Sequence, residues 1–174
     1  MGSIVRVIRT SRADRVLVLH GTDTLAWTAA ALSVAGLEQS VALTGANSPF
    51  WAQGSDAAGN VLASLVYLSE KEEGVSVVFA GKDATSWDVF EGGFARKSHA
   101  GGQSFIDLGG RVLGEVCDGK FMRLRERRDI VLPEDVPGFE EVSLLRVWPG
   151  MAWPETAPSP VIIVELPIRR LVEI

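Results

Sequence analysis

The sequence has little of the material from which disulfide frameworks and metal centres are built. Cys117 is the only cysteine among 174 residues, which excludes an intrachain disulfide and a zinc site held by several cysteines. Histidine is nearly as scarce, with only His20 and His99. We therefore expect no metal centre and interpret both histidines as structural.

Long apolar runs and an excess of basic charge are also missing. No segment approaches the length of a membrane span, and the amino end lacks the basic and then apolar pattern of a secretory signal. The net charge is −5 and the pI about 5.1, so electrostatics favours neither nucleic acid nor an anionic membrane as a partner. With 47% apolar and 22% charged residues, the composition is that of a globular protein, and we expect a cytoplasmic location.

Strand and helix patterns alternate over the first half of the chain. Near-continuous apolar runs, typical of central parallel strands, occupy residues 15–19, 40–44 and 75–79. Helical patterns cover residues 4–13, 25–37 and about 56–70. The alternation predicts an α/β fold, with right-handed βαβ units forming a mostly parallel sheet that has helices on both faces.

The pattern changes after residue 80, where glycines separate short segments. Strands at 111–116 and 120–124 are expected to form a hairpin around Asp118-Gly119. The charged run at 123–128 is most simply interpreted as a solvated strand face, and the tryptophans as core or loop anchors. After a proline-containing linker, two more strands are predicted at 142–147 and 161–166. A hairpin-rich arm and a small second region therefore follow the sheet.

The segment Thr22-Asp23-Thr24 lies where the first predicted parallel strand meets a helix. Ligands bind at this edge of open α/β sheets, and the amino end of a helix favours an anion. Asp23 offers a carboxylate for an ammonium group, and Thr22 offers a hydroxyl that attacks or holds a water molecule. The alternative is that either side chain only caps the helix, since such caps are common.

The motif His20-Gly-Thr-Asp-Thr-Leu25, followed by Thr28 and an alanine-rich helix, resembles the second signature of the bacterial-type L-asparaginase family. Further matches follow in the same order. They are Val41-Ala-Leu-Thr-Gly-Ala46, Ser55-Asp-Ala-Ala-Gly-Asn60, Val77-Val-Phe79 with Ala95-Arg-Lys97, and residues 144–151, which end in Pro-Gly-Met. Ordered matches over most of the chain are more specific than one short motif.

The resemblance implies an amidohydrolase that converts L-asparagine, or L-glutamine, to the acid and ammonia without a cofactor. It implies that Thr22 activates or positions the attacking group, and that Asp23 binds the substrate's α-ammonium group with Gly21 beside it. Lys97 matches the lysine that is hydrogen-bonded to this threonine. An ammonium group there would ease alkoxide formation. The alternative for Lys97 is an ordinary surface lysine beside Arg96.

Two departures from the family pattern qualify this interpretation. The family's first strand ends in Thr-Gly-Gly-Thr, which holds its main nucleophile, and an Asp-Ser loop grips the substrate carboxylate; this sequence contains neither. The resemblance implies an N-terminal asparaginase-like domain over residues 1–132, incomplete at its start. Residues 133–174 are then a linker and the start of a truncated C-terminal domain.

Three functions remain open at this point. The first is an amidohydrolase domain completed by the missing nucleophile segment and weak or inactive alone. The second is a non-catalytic module that binds a small amino acid, and the third is an interaction domain with an empty site, which the intact Thr22-Asp23 pair disfavours. Because the missing segments would leave apolar surface exposed, we also expect a homo-oligomer or a complementing chain.

Overall fold

The chain divides into two units, residues 1–130 and residues 131–174. The computed structural model describes residues 2–82, 85–98 and 103–128, and the backbone of strands at 142–146 and 161–165. Within these ranges the first unit contains α1 (Gly2–Thr10), β1 (Arg15–Leu19), α2 (Thr22–Ser33), β2 (Ser40–Thr44), α3 (Ala57–Ser69), β3 (Gly74–Ala80), β4 (Ser86–Glu91), β5 (Ala95–Lys97), β6 (Phe105–Asp107), β7 (Gly114–Cys117) and β8 (Lys120–Arg123).

The second unit contains two strands in the positions that the sequence predicts, β9 (Val142–Arg146) and β10 (Val161–Glu165). They pair in parallel, with Val142 opposite Val161. The predicted proline linker and the turn at 148–151 lie outside the described residues. The assignment of this unit to the start of a C-terminal domain stays a prediction, as does the proposed boundary after residue 132.

The first unit is built on a six-stranded sheet with the order β1-β2-β3-β4-β7-β8. The first three strands are parallel, with Val16 opposite Val41 and Val41 opposite Val75, so the predicted α/β sheet is confirmed. The remaining pairs are antiparallel. The chain between β3 and β4 is too short for the crossover that a parallel pair requires, so β4 returns antiparallel.

The glycine-containing arm supplies the antiparallel half of the fold. After β4 the chain forms the hairpin β5–β6 as a separate two-stranded sheet, and then returns to the main sheet as β7 and β8. The β7–β8 turn is at the predicted place, with Asp118 and Gly119 both at positive φ (50° and 71°). Two consecutive positive φ angles match the twist of antiparallel strands, which explains this hairpin.

The helices cover both faces of the sheet, as predicted. Leu25 of α2 is packed in the same core as Val41, whereas Tyr67 of α3 is packed with Ala42 on the opposite face. The chain advances from β1 to β2 to β3 in one direction, so parallel connections on opposite faces must have opposite hands. One crossover is therefore left-handed, and the expectation of right-handed units throughout is wrong for it.

The helix bounds differ from the predicted ones because backbone turns, not apolar periodicity, set the ends. The helix α2 begins at Thr22, directly after the extended Gly21 (φ −65°, ψ 132°), and not at Leu25. It ends at Ser33, and Gly36 then takes a left-handed conformation (φ 60°). Within the described ranges no helix has the length and apolar character needed to cross a membrane.

Two tryptophans depart from the predicted role of core or loop anchors. Trp27 and Trp51 are 75% and 87% exposed. Trp87 is packed against the helix α3, where a Cβ added to Gly59 would lie 2.6 Å from its ring. A glycine is therefore required at position 59 for this helix to approach the sheet.

The interpretation of the charged run at 123–128 as a solvated face is wrong for Arg125, Arg127 and Arg128, whereas Arg123 and Glu126 are exposed. Arg125 Nη2 lies 2.6 Å from Glu91 Oε2, and Arg128 Nη2 lies 2.7 Å from Asp107 Oδ1. The side chains of these two acids are only 3% and 2% exposed. The run therefore neutralises carboxylates that are distant in sequence, which the local charge pattern does not reveal.

A further arginine of the same run binds hydroxyl groups under α3. Arg127 Nη2 donates to Tyr67 Oη and Ser76 Oγ, each at 2.9 Å. Burial raises the pKa of Tyr67 above its ordinary value, although the nearby Arg127 charge acts in the opposite direction. Charged and neutral contacts thus hold the segment after β8 against the start of β3 and the end of β4.

Replacement of Arg125 by methionine tests the buried ion pairs. In the variant only Arg128 remains to pair with the two buried carboxylates of Glu91 and Asp107. The free energy of unfolding should therefore fall by about 1–3 kcal/mol. Urea titration followed by tryptophan fluorescence measures the change. Arg96→Met, at an exposed position of β5, is the control and should change stability by less than about 0.5 kcal/mol. Equal effects of the two substitutions would contradict the assigned role.

Candidate active site

The candidate site is formed where β1 and β2 end side by side. The His20 backbone N–H donates to the Thr44 carbonyl at 2.8 Å, one residue beyond β1. This bond continues the parallel pairing and directs the chain into the turn that starts α2. The turn therefore places Thr22 and Asp23 at the carboxyl edge of the parallel strands, where α/β sheets bind ligands.

The first turn of α2 carries Thr22 and Asp23 without a side-chain cap. Gly21 is the N-cap residue and no side chain caps the helix, so neither Thr22 nor Asp23 has that role. The Asp23 side chain is 93% exposed, and Thr22 is half-buried. The unpaired N–H groups and the helix dipole make this end attractive to an anion.

Lys97 approaches the same helix turn from the hairpin β5–β6. Its Nζ lies 4.0 Å from Asp23 Oδ1, and its side chain is 17% exposed. The stem crosses Phe105, the residue opposite Lys97 in the hairpin, with Nζ 5.4 Å from the ring centroid. The fold thus brings Lys97 to Asp23 across a long stretch of sequence. Because Asp23 is so exposed, this ion pair itself contributes little stability.

The hydrogen bond between Lys97 and Thr22 that the family pattern implies is absent from the described residues. Lys97 instead pairs with Asp23, the residue next to Thr22, with Nζ 4.0 Å from Oδ1. The structure therefore brings the predicted side chains together at one helix turn, where the ammonium group of Lys97 faces the carboxylate of Asp23.

His20 holds the turn itself. Its Nδ1 lies 2.9 Å from the Gly21 carbonyl oxygen, and its Nε2 lies 3.0 Å from Thr28 Oγ1. A neutral ring protonated at Nδ1 satisfies both contacts, because the Thr28 hydroxyl can then donate to Nε2. The ring therefore links the start of α2 to a later turn of the same helix.

Gly45 lets β2 approach this turn. A Cβ at position 45 would lie 2.2 Å from the His20 carbonyl oxygen and 3.4 Å from Thr22 Cγ2. Gly45 is the glycine of the Val41-Ala-Leu-Thr-Gly-Ala46 match, to which the sequence assigns no role. The close approach explains why a glycine stands there.

Asn60 is a further site-forming residue that sequence reasoning did not single out. It is fully buried, and its Nδ2 donates to the Gly45 carbonyl at 2.9 Å while its Oδ1 accepts from the Ala80 N–H at 2.9 Å. One amide therefore joins the ends of β2 and β3. The available signal was the Ser55-Asp-Ala-Ala-Gly-Asn60 match.

The loop after β2 is held by Asp56. Its carboxylate accepts from the backbone N–H groups of Asn47 and Ser48 at 3.0 and 3.1 Å, instead of capping α3. The loop borders an open cavity of 620 Å³. The cavity is lined by Leu19, His20, Gly45, Ala46, Asn47, Ser48, Pro49, Phe50, Ala57 and Val61. It lies beside the edge of β1, next to the candidate site.

The described side chains offer no metal centre. Across this part of the chain no three acidic, histidine or cysteine residues come together as ligands. The chemistry available at the site is that of a hydroxyl, a carboxylate, an ammonium group and free helix N–H groups. Such a set suits the recognition of a zwitterion and attack on a carbonyl group.

Sequence comparisons relate this chain to one protein family. The model of the asparaginase N-terminal family matches residues 1–127. The D subunit of glutamyl-tRNA(Gln) amidotransferase from Aeropyrum pernix is 35% identical over 79% of this chain and 35% of its own length. The corresponding protein from Methanopyrus kandleri is 33% identical over 85% of this chain and 35% of its own length.

A solved structure shows the same fold. The thermostable L-asparaginase from Thermococcus kodakarensis superposes with a TM-score of 0.67 at 23% sequence identity, covering 87% of this chain and 46% of that one. The chain spans about a third of the length of the curated relatives it matches. It belongs to the asparaginase family, and its residues 1–127 match the N-terminal domain of that family.

Substitution of Gly45 by alanine tests the close approach at the site. The new methyl group would collide with the His20 carbonyl, so we expect a loss of about 1–3 kcal/mol in the free energy of unfolding. Gly21→Ala is the matched control, because nothing lies within 4 Å of a Cβ there, and it should cost less than about 1 kcal/mol. Denaturant titration gives both values. A Gly45→Ala variant as stable as the Gly21→Ala variant would refute the assignment.

Proposed function

We propose that this chain is an amidohydrolase domain that acts on the side-chain amide of L-asparagine and forms L-aspartate and ammonia. The observation that carries the proposal is the convergence of Asp23 and Lys97 at the uncapped start of α2, with Thr22 on the same turn. In this proposal the site becomes fully active when a further segment supplies the main nucleophile.

Substrate recognition follows from the charges at the helix end. The exposed Asp23 carboxylate binds the α-ammonium group, and the free N–H groups of α2 favour the negative end of the substrate. The incoming ammonium group replaces Lys97 as the cation beside Asp23. Lys97 is then released toward Thr22, where its positive charge makes the hydroxyl easier to deprotonate.

The overall reaction is hydrolysis of an amide bond. The nucleophile attacks the side-chain amide carbon, the C–N bond breaks, and the nitrogen leaves as ammonia after it gains a proton. Water then attacks the ester that the nucleophile has formed, the ester C–O bond breaks, the nucleophile regains its proton, and the new carboxylate carries the oxygen of the water. Thr22 positions the attacking group, and the Lys97 charge and the helix dipole stabilise negative charge that develops on oxygen.

The free edge of β1 supports a completing segment. Within the described residues β1 pairs only with β2, and Leu19 at its end is 66% exposed. A strand added to this edge would end beside His20 and the 620 Å³ cavity, close to Thr22. We propose that the nucleophile segment lies there, whether it belongs to the same polypeptide or to another one.

A second candidate is a domain that binds a small amino acid without turning it over. The exposed Asp23, open to solvent on the isolated chain, favours it. The name of the relatives, which are components of an amidotransferase, supports a related possibility in which a partner chain uses the released ammonia. In either case Asp23 is the group that binds the ligand.

Ligand binding by the 174-residue polypeptide tests the role of Asp23. We expect L-aspartate to bind measurably in isothermal titration calorimetry, and Asp23→Ala to weaken binding at least about tenfold, or 1.4 kcal/mol. Asp14→Ala removes the same charge from an exposed position before β1 and should leave the affinity unchanged. An unchanged affinity in Asp23→Ala would exclude the proposed recognition.

Ammonia release tests the need for a second segment. The same polypeptide should release little or no ammonia from L-asparagine, since loss of a nucleophile costs orders of magnitude in rate. A coupled enzymatic ammonia assay gives the rate. Turnover of about 10 per second, an ordinary enzyme rate, would show that these residues form a complete site alone.

A further inference from the structure

Phe105 is a buried aromatic residue beside the candidate site that has no part in the proposed reaction. Its side chain is 1% exposed. The ring packs against Phe79 of β3, with the centroids 4.9 Å apart, and faces Phe90 of β4, with the centroids 6.5 Å apart. A ring that is packed against other rings in a dense core has little freedom to move. Phe105 therefore keeps its ring in a constant position at the start of β6.

The hairpin β5–β6 places Lys97 on this ring. Lys97 and Phe105 lie directly opposite each other in the antiparallel pair. Opposite residues point to the same face, with Cβ atoms about 4.5–5.5 Å apart. The ammonium nitrogen of Lys97 lies over the ring, 5.4 Å from its centroid. This distance is within the range of about 6 Å over which a ring face attracts a cation.

Two groups therefore attract the ammonium group of Lys97, and water screens them to different degrees. The Asp23 carboxylate is 4.0 Å from Nζ, at the outer limit of an ion pair, and its side chain is 93% exposed. Water and salt weaken such a pair. The ring belongs to the core, so its attraction for the cation is screened less. The ring is thus the partner that remains when Asp23 changes its own.

We propose that Phe105 is a positioning residue, whose ring holds the Lys97 ammonium group in the site while Asp23 exchanges Lys97 for the ammonium group of a ligand. The inference rests on the proposed function, from which it takes the exchange at Asp23. Without the ring, an ammonium group that loses Asp23 turns into water, where a lysine is strongly hydrated. With the ring, the positive charge stays beside the first turn of α2.

Methylation of the lysines with carbon-13 makes the position of Lys97 visible by NMR. Reductive methylation keeps the positive charge, and the ring current of an aromatic ring moves the signal of methyl groups above its face upfield. The sequence has three other lysines, Lys71, Lys82 and Lys120, all of them exposed, which mark the unshifted position. Lys97→Arg identifies the signal by removing it. We expect the Lys97 signal of the parent chain upfield of the other three.

The variant Asp23→Ala imitates the occupation of Asp23 by a ligand and needs no ligand. The Lys97 signal should stay upfield in this variant, because the ring still holds the ammonium group. Movement of the signal to the position of the exposed lysines overturns the proposal, since Asp23 and not the ring would then position Lys97. Asp23 is exposed, so Asp23→Ala should fold as the parent chain does, and this result decides the proposal even where a core variant fails to fold.

Phe105→Leu is tested by exposure, because the variant has no ring to shift the signal. When Phe105→Leu is combined with Asp23→Ala, a soluble paramagnetic reagent should broaden the Lys97 signal as strongly as those of the exposed lysines. Phe90→Leu combined with Asp23→Ala is the matched control, because it removes a ring of the same cluster that is 2% exposed. There the Lys97 signal should stay upfield and protected. Equal broadening in the two combinations overturns the proposal, since loss of core packing would then explain the effect.

Addition of L-aspartate to the parent chain examines the exchange itself. The Lys97 signal should remain upfield at saturation, and its movement to the exposed position would overturn the proposal. Absence of aspartate binding contradicts the proposed function alone, because the Asp23→Ala measurement contains no ligand. The two failures are therefore distinguishable.

Discussion

The parallel pairing of β1 with β2 determines where every residue of the candidate site lies. The hydrogen bond from His20 to Thr44 extends that pairing beyond β1, and Gly45 allows the two chain segments to pass at close range. Because α2 starts directly after this point, its first turn faces the edge of the sheet. The open helix end, with Asp23 exposed on it, is a consequence of this backbone arrangement.

The rest of the first unit supports that edge from both sides. Asn60 joins the ends of β2 and β3 through one buried amide, and Asp56 holds the loop that borders the cavity. On the other face, the hairpin β5–β6 carries Lys97 over the buried ring of Phe105 to reach Asp23. Three separate elements therefore support the edge of the sheet at which this helix turn lies.

The fold also shows how an acidic, arginine-containing chain places charge in its interior. Glu91 at the end of β4 and Asp107 at the end of β6 are buried, and Arg125 and Arg128 neutralise them. Paired in this way, the carboxylates hold the segment after β8 in place. Removal of one partner leaves a buried charge, whereas the exposed pair of Lys97 with Asp23 stays free to exchange partners with a ligand.

The sequence by itself determined the elements that depend on local patterns. The apolar runs placed β1 and β2, and Asp118-Gly119 placed the β7–β8 turn, because these features arise from neighbouring residues. The ordered motifs also predicted that Asp23 and Lys97 belong to one site, and in the structure the two side chains lie 4.0 Å apart.

Only the tertiary structure decided the features that depend on distant residues. The partners of the 123–128 run, the role of Asn60 and the opposite hands of the two crossovers all require groups far apart in sequence to meet. The strand β4, and with it the attachment of the predicted β7–β8 hairpin to the main sheet, was missed for the same reason, since β4 is stabilised by its neighbours β3 and β7. Local propensity carries no information about such contacts, because their energy comes from burial and pairing across the fold.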